Sequence, residues 1–154
     1  MTDATAAPAD RKATEAPAGP LVTRILPPVT RTYLALYAGA SGDHNPVHID
    51  IDAARVAGLD DVIAHGMLSM AWAGRVLEEA AGPGSVQSYR MRFTAPVRVG
   101  DRLTVTVSRA GRQTADETAT DVEVLVADTE GAVKARGTAR ISQHALRAPR
   151  SPGA

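Results

Sequence analysis

The apolar residues of this chain change period once, at Gly82-Pro83-Gly84, and that change limits the folds open to it. Before the break, Ala64 to Ala81 reads as one long helix, with Met67, Leu68, Met70, Ala71, Trp72 and Ala73 making its first half apolar nearly all round. Such a half-helix is expected to be buried. Its second half is expected to surface, with Arg75 and Glu79 one turn apart. Small residues at 71, 73 and 74 would admit a sheet backbone at close range. After the break the spacing drops to two. Tyr89, Met91 and Phe93 alternate with Ser88, Arg90 and Arg92, and Leu103, Val105 and Val107 alternate with Arg102, Thr104 and Thr106. Val122, Val124 and Val126 form a third series, and Val133, Ala135, Gly137, Ala139 and Ile141 a fourth. Alternation buries one face of each strand and wets the other. With Leu21 to Leu26 as an earlier short strand, stopped by Pro27-Pro28, the pattern predicts an α+β chain. An antiparallel sheet of about five strands wraps around one long central helix.

A β–α–β4 order of this kind suits a hot-dog fold. At 154 residues the chain fits one domain, and a domain of this size buries roughly two-thirds of the surface its unfolded form exposes. Residues 1–19 are rich in Ala, Pro and Thr without apolar periodicity, and 143–154 read the same way; both are expected to be disordered tails around a folded unit at 20–142. Basic and acidic residues balance at 17 each, so no net field favours nucleic acid or an anionic membrane. The absence of cysteine excludes disulfides, thiolate metal sites and a thiol nucleophile. Residues 1–19 lack the apolar core of a secretory signal, and the long helix is interrupted by Gly74, Arg75 and Glu78. A cytoplasmic protein is the expectation.

Chemistry concentrates between Tyr37 and Asp52, YAGASGDHNPVHIDID. Thr30 is the expected N-cap of a helix carrying Tyr33, Leu34, Leu36 and Tyr37 and running to about Ala40, ended by Gly39 and Gly42. Pro46 disfavours helix at Asn45, so Asp43 to Val47 should be a turn or extended. A short helix follows over Asp52 to Ala57, closed by Gly58. Asp43 and His48 can jointly hold a water, one taking its proton while the other orients it; each positioned acid or base contributes ~10²–10⁴-fold. Asn45 can brace the segment. The same string also fits an Asx-turn, with Asp43 and Asn45 bonding nearby backbone and His48 packed at a strand start. A third reading takes Asp43, His44, His48 and Asp50 as metal ligands, but Pro46 denies His44 and His48 the helix that would pair them. His65 and Gly66 open the long helix, where free N–H groups suit a developing oxyanion and glycine admits a substrate carbonyl. The His65 side chain itself reads as a satisfied structural histidine.

Three runs in order, Y-A-G-A-S-G-D-H-N-P-V-H-I-D, A-H-G-M-L-S and F-T-A-P-V-R-V-G-D, resemble the MaoC-like dehydratases, or (R)-specific enoyl-CoA hydratases, over about Pro20 to Ser142. The resemblance implies a hot-dog fold, a homodimer or pseudo-dimer, no cofactor or metal, and reversible syn addition of water to a trans-2-enoyl thioester of coenzyme A or acyl carrier protein. By motif position, Asp43 and His48 look like the catalytic dyad, Asn45 like its support, and the Gly66 amide like the donor to the thioester carbonyl. Two other functions stay open on this fold: a non-catalytic acyl-binding or partner subunit of a heterodimer, and thioester hydrolysis. A lone sheet of this kind leaves an edge unprotected. A homodimer is therefore expected, with the Tyr89–Phe93 strand as the candidate joined edge.

Overall fold

The computed structural model describes residues 19–113 and 118–142. Apart from Gly19, the expected tails lie outside the described residues. The element order is β1 (Val22–Pro28), α1 (Arg31–Ser41), a 3-10 turn at Pro46–His48, α2 (Ile51–Val56), α3 (Gly66–Ala81), β2 (Val86–Phe93), β3 (Arg102–Arg109), β4 (Ala119–Ala127) and β5 (Val133–Ser142). The five strands form one antiparallel sheet in the order β1-β3-β4-β5-β2. Its inner face supplies Leu103, Val105, Val107, Val122, Val124, Val126, Ala135, Ala139 and Ile141, all buried and packed with Leu68, Ala73, Val76, Leu77 and Ala81 of α3. This is the hot-dog architecture. No helix among the described residues is long and apolar enough to cross a membrane.

Where structure and expectation part, the reason is tertiary. Pro27 and Pro28 do not stop the first strand but belong to it. β1 lies at the sheet edge with a register shift between Ile25 and Pro28, where a residue without an N–H costs no ladder bond. Thr30 caps α1 as expected, its Oγ1 accepting from the Tyr33 N–H at 3.2 Å, but Gly39 stays helical and Gly42, at φ 74°, ends the helix. α3 keeps a buried stripe along its whole length, so its second half does not simply surface: Val76, Leu77 and Ala81 are buried, while Met67 in the first half is 54% exposed. Glu79 turns from Arg75 to Arg24 of β1, at 3.1 Å, because Arg24 lies opposite the buried Val105 and so on the helix side of the sheet. Arg31, at the start of α1, grips both carboxylate oxygens of Asp61 and so ties α1 to the segment leading into α3.

Two turns share one lysine. Lys134 Nζ lies 3.1 Å from Asp128 and 3.3 Å from Asp101. Asp128 Oδ1 also accepts from the Ala132 and Glu130 N–H groups at 2.9 and 3.0 Å. The Ala132 hydrogen bond, and then Lys134, hold the Asp128 carboxyl below its usual range. The stability this supplies is complete above the unfolded carboxylate value, ~3.9, and drains away as pH falls through the lower folded one. Asp128→Asn should therefore flatten the acid limb of a pH-dependent urea-denaturation series; an unchanged limb would show that the turn adds nothing.

The closest backbone approach is in the sheet rather than at the helix. A Cβ on Gly137 would overlap the Arg90 carbonyl and the Met91 sulfur of β2. At Gly74 it would meet only the Tyr89 ring, at 3.6 Å. Gly137→Ala should cost about 1–3 kcal/mol by overpacking, whereas Gly74→Ala should be neutral or gain up to about 1 kcal/mol of helix stability. Chemical denaturation of the two variants side by side checks the contrast.

Candidate active site

The segment after α1 is built from side-chain bonds to its own backbone. Ser41 Oγ accepts from the Asp43 N–H at 3.2 Å, Asp43 Oδ1 from the Asn45 N–H at 3.3 Å, and Asn45 Oδ1 from the Val47 N–H at 3.2 Å. Asn45 is extended, at φ −57° and ψ 122°, as a residue before proline prefers, and Pro46 opens the 3-10 turn. The Asx-turn bonds expected of Asp43 and Asn45 are therefore present. Asn45 spends its carbonyl on the turn, which leaves its amide N–H groups for anything bound nearby. Asp50 is taken up as the N-cap of α2, accepting from the Asp52 and Ala53 N–H groups at 2.9 and 3.3 Å.

This segment is docked on the residues that lead into α3. The Ile63 N–H donates to the Val47 carbonyl at 3.3 Å, and the Ile63 carbonyl lies 2.8 Å from His48 Nδ1. A carbonyl only accepts, so Nδ1 carries the proton, and in the neutral ring Nε2 keeps its lone pair. Ile63 and Ala64 are in turn fixed by a bridge to Arg98 and a 2.8 Å bond from the Ala64 N–H to the Val97 carbonyl. Asp43 is exposed and His48 half-buried, so both sit where solvent or substrate can reach them.

His65 and Gly66 follow directly. His65 is only 2% exposed and occupies the N-cap position of α3 without capping it. Its Nε2 lies 3.0 Å from the Asp43 main-chain carbonyl, while its buried Nδ1 has no hydrogen-bond partner among the described residues. The His48 and His65 ring centroids lie 3.9 Å apart, tilted 31°, and the Tyr37 and His65 centroids 5.0 Å apart at 61°. The expectation of a satisfied histidine is thus met at one nitrogen only. Nothing in the sequence beyond its place beside Gly66 marks His65 as a neighbour of Asp43. At Gly66 a Cβ would fall 2.9 Å from Phe93 Cδ2, so any larger residue there would have to displace that ring of β2. As the first residue of α3, Gly66 still presents an N–H without a partner inside the helix.

Asp43, His48 and His65 each offer a ligand atom within 4.8 Å of the others. That set differs from the one expected, since His44 is exposed and Asp50 is engaged as a cap. An ion needs both imidazole lone pairs to converge on one point. Each ring already commits one nitrogen to a main-chain carbonyl, which leaves one lone pair per ring as a ligand atom or as a base.

A sheet wrapped on one helix, with an acid and an imidazole docked at that helix's first turn, defines a hot-dog domain with a polar site. Its sequence places it further: a profile of the family described as MaoC like domain matches residues 12–131, and the chain belongs to that family. It is 39% identical over 85 residues to an (R)-specific enoyl-CoA hydratase of Rhodospirillum rubrum, covering 54% of this chain and 59% of that one. It is 40% identical over 92 residues to 3-hydroxyacyl-thioester dehydratase X of Mycobacterium tuberculosis, covering 58% of this chain and 30% of that one. The match thus spans less than two-thirds of the length of either relative. Among solved structures, the unliganded R-hydratase PhaJ1 of Pseudomonas aeruginosa superposes with a TM-score of 0.70 at 28% identity, over 87% of this chain and 96% of that one. The ChsH1-ChsH2 complex of M. tuberculosis, at 22% identity, shares the fold with a TM-score of 0.71 over 82% of this chain and 97% of that one.

An acid–base site that works without an ion requires the purified protein to hold zinc far below one ion per chain by atomic emission. A stoichiometric ion lost in Asp43→Asn would instead mark Asp43, His48 and His65 as a metal centre.

Proposed function

We propose that this chain adds water reversibly to a trans-2-enoyl thioester of coenzyme A or acyl carrier protein, giving the (3R)-3-hydroxyacyl thioester, with Asp43 and His48 as the acid–base pair. The observation that carries the reading is the His48 Nδ1 bond to the Ile63 carbonyl at 2.8 Å, because it leaves Nε2 free as a base beside Asp43. The names and structures of the relatives support the reaction class.

In this mechanism the thioester carbonyl accepts from the Gly66 N–H. Asp43 and His48 hold a water over C3. As its oxygen bonds C3, the pair takes one proton, and the negative charge that moves onto the thioester oxygen is met by the Gly66 donor. Returning the proton to C2 restores the pair and completes the addition of water. Fixed donors aimed at charge that appears only in the transition state supply the largest electrostatic gain. Dehydration is the same path reversed. The reaction needs no cofactor and no metal, and a cytoplasmic thioester pool is the setting it implies.

The working unit we propose is a homodimer. Among the described residues β2 has one unpaired edge, and its Phe93 is 43% exposed, an apolar side chain that a second chain would cover. Two-chain complexes among the structural neighbours, ChsH1-ChsH2 and HadBC, make a different second chain the competing arrangement.

Loss of conjugated absorbance from crotonyl-CoA and from a longer enoyl-CoA measures the proposed activity. Asp43→Asn and His48→Gln should each lower turnover by ~10²–10⁴-fold with the fold intact. Wild-type rates in either variant would remove that residue from the chemistry, and release of free thiol would instead mark a thioesterase.

A further inference from the structure

The mechanism leaves His65 unused, although it is the most buried ionisable side chain around the site. At 2% exposure it carries an Nδ1 with no hydrogen-bond partner among the described residues, an arrangement a purely structural core position would shed by becoming apolar. What its ring touches is specific. Nε2 lies 3.0 Å from the Asp43 main-chain carbonyl, which can only accept, so Nε2 carries the proton and donates. The His65 ring centroid lies 3.9 Å from that of the His48 ring, tilted 31°, and 5.0 Å from that of the Tyr37 ring. The main chain of His65 continues directly into Gly66 at the start of α3.

We infer that His65 is the positioning residue of the site: its Nε2–H holds the Asp43 backbone while its ring face holds the His48 ring, so that one side chain sets the acid and the base at a fixed separation from each other and from the Gly66 amide. The inference rests on the reading of Asp43 and His48 as the acid–base pair, and extends it to a buried residue given no step in that mechanism.

The contacts of Asp43 support this role. Among the described residues its side chain is held only by the Asn45 N–H, a bond within its own turn, so local bonding shapes the turn without fixing where the turn sits. The His65 donor acts across 22 residues of sequence and attaches the turn to α3. The unpartnered Nδ1 follows from it: with Nε2 committed as the donor, the second nitrogen of the neutral ring must be an acceptor, and no donor reaches it.

The test compares His65→Phe and His65→Leu, which lose the donor, with His65→Gln, whose amide nitrogen can take the place of Nε2. Either donor-less variant that folds should lose ~10²-fold in kcat, as a small misplacement of reacting groups does, with KM little changed. His65→Gln should recover most of that loss. In an Asp43→Asn background His65→Phe should cost little more, because the group it positions is already disabled. A folded donor-less variant with wild-type kcat would overturn the inference, as would a Gln variant no better than Phe, or a His65→Phe loss undiminished in the Asp43→Asn background. Wild-type turnover in Asp43→Asn itself would remove the acid–base reading and this inference with it.

Discussion

The site depends on one docking contact: the strip from Asp43 to His48 is laid against the strip from Val62 to His65. Three hydrogen bonds make it, from the Ile63 N–H to the Val47 carbonyl, from His48 Nδ1 to the Ile63 carbonyl, and from His65 Nε2 to the Asp43 carbonyl. Each is worth about 0.5–1.5 kcal/mol net, a modest share of the stability of a domain. Their larger effect is geometric. Two of them assign a proton to a particular imidazole nitrogen, and together they bring a turn that would otherwise follow only its own Asx bonds up to the first turn of a buried helix.

The rest of the fold supplies the rigidity that this contact needs. α3 is locked by its buried stripe against the valines of β3 and β4. The strip before it is pinned from the other side by the bridge of Ile63 to Arg98, and the Arg31–Asp61 fork fixes the loop just upstream to α1. The candidate polar groups sit on a short irregular segment between regular elements, which leaves Asp43 and Asn45 exposed to solvent.

Much of this was legible in the sequence because it is local. The change of apolar period at Gly82, the Thr30 cap, the break before Pro46 and the alternation of β2 to β5 are each decided by residues a few positions apart. The constellation Asp43, Asn45 and His48 was legible for the same reason. What could not be read is what joins distant residues. Arg24 drawing Glu79 away from Arg75, Pro27 and Pro28 tolerated by an edge strand, Phe93 covering Gly66, and above all His65 against Asp43 are consequences of a sheet order that no short window encodes. The metal reading shifted for this reason too: by spacing it gathered His44 and Asp50, whereas the fold brings in His65 and sends those two elsewhere.

The central claim is that Asp43 and His48 act on one water as a single unit. A double-variant cycle tests it most directly, with kcat measured for Asp43→Asn, His48→Gln and the two combined on the same enoyl thioester. Groups that serve one step together are strongly non-additive, so the combined variant should be scarcely slower than the worse of the two single ones. Losses that multiply, so that the combined variant falls by the product of the single effects, would mean that the two side chains act independently and would contradict the account.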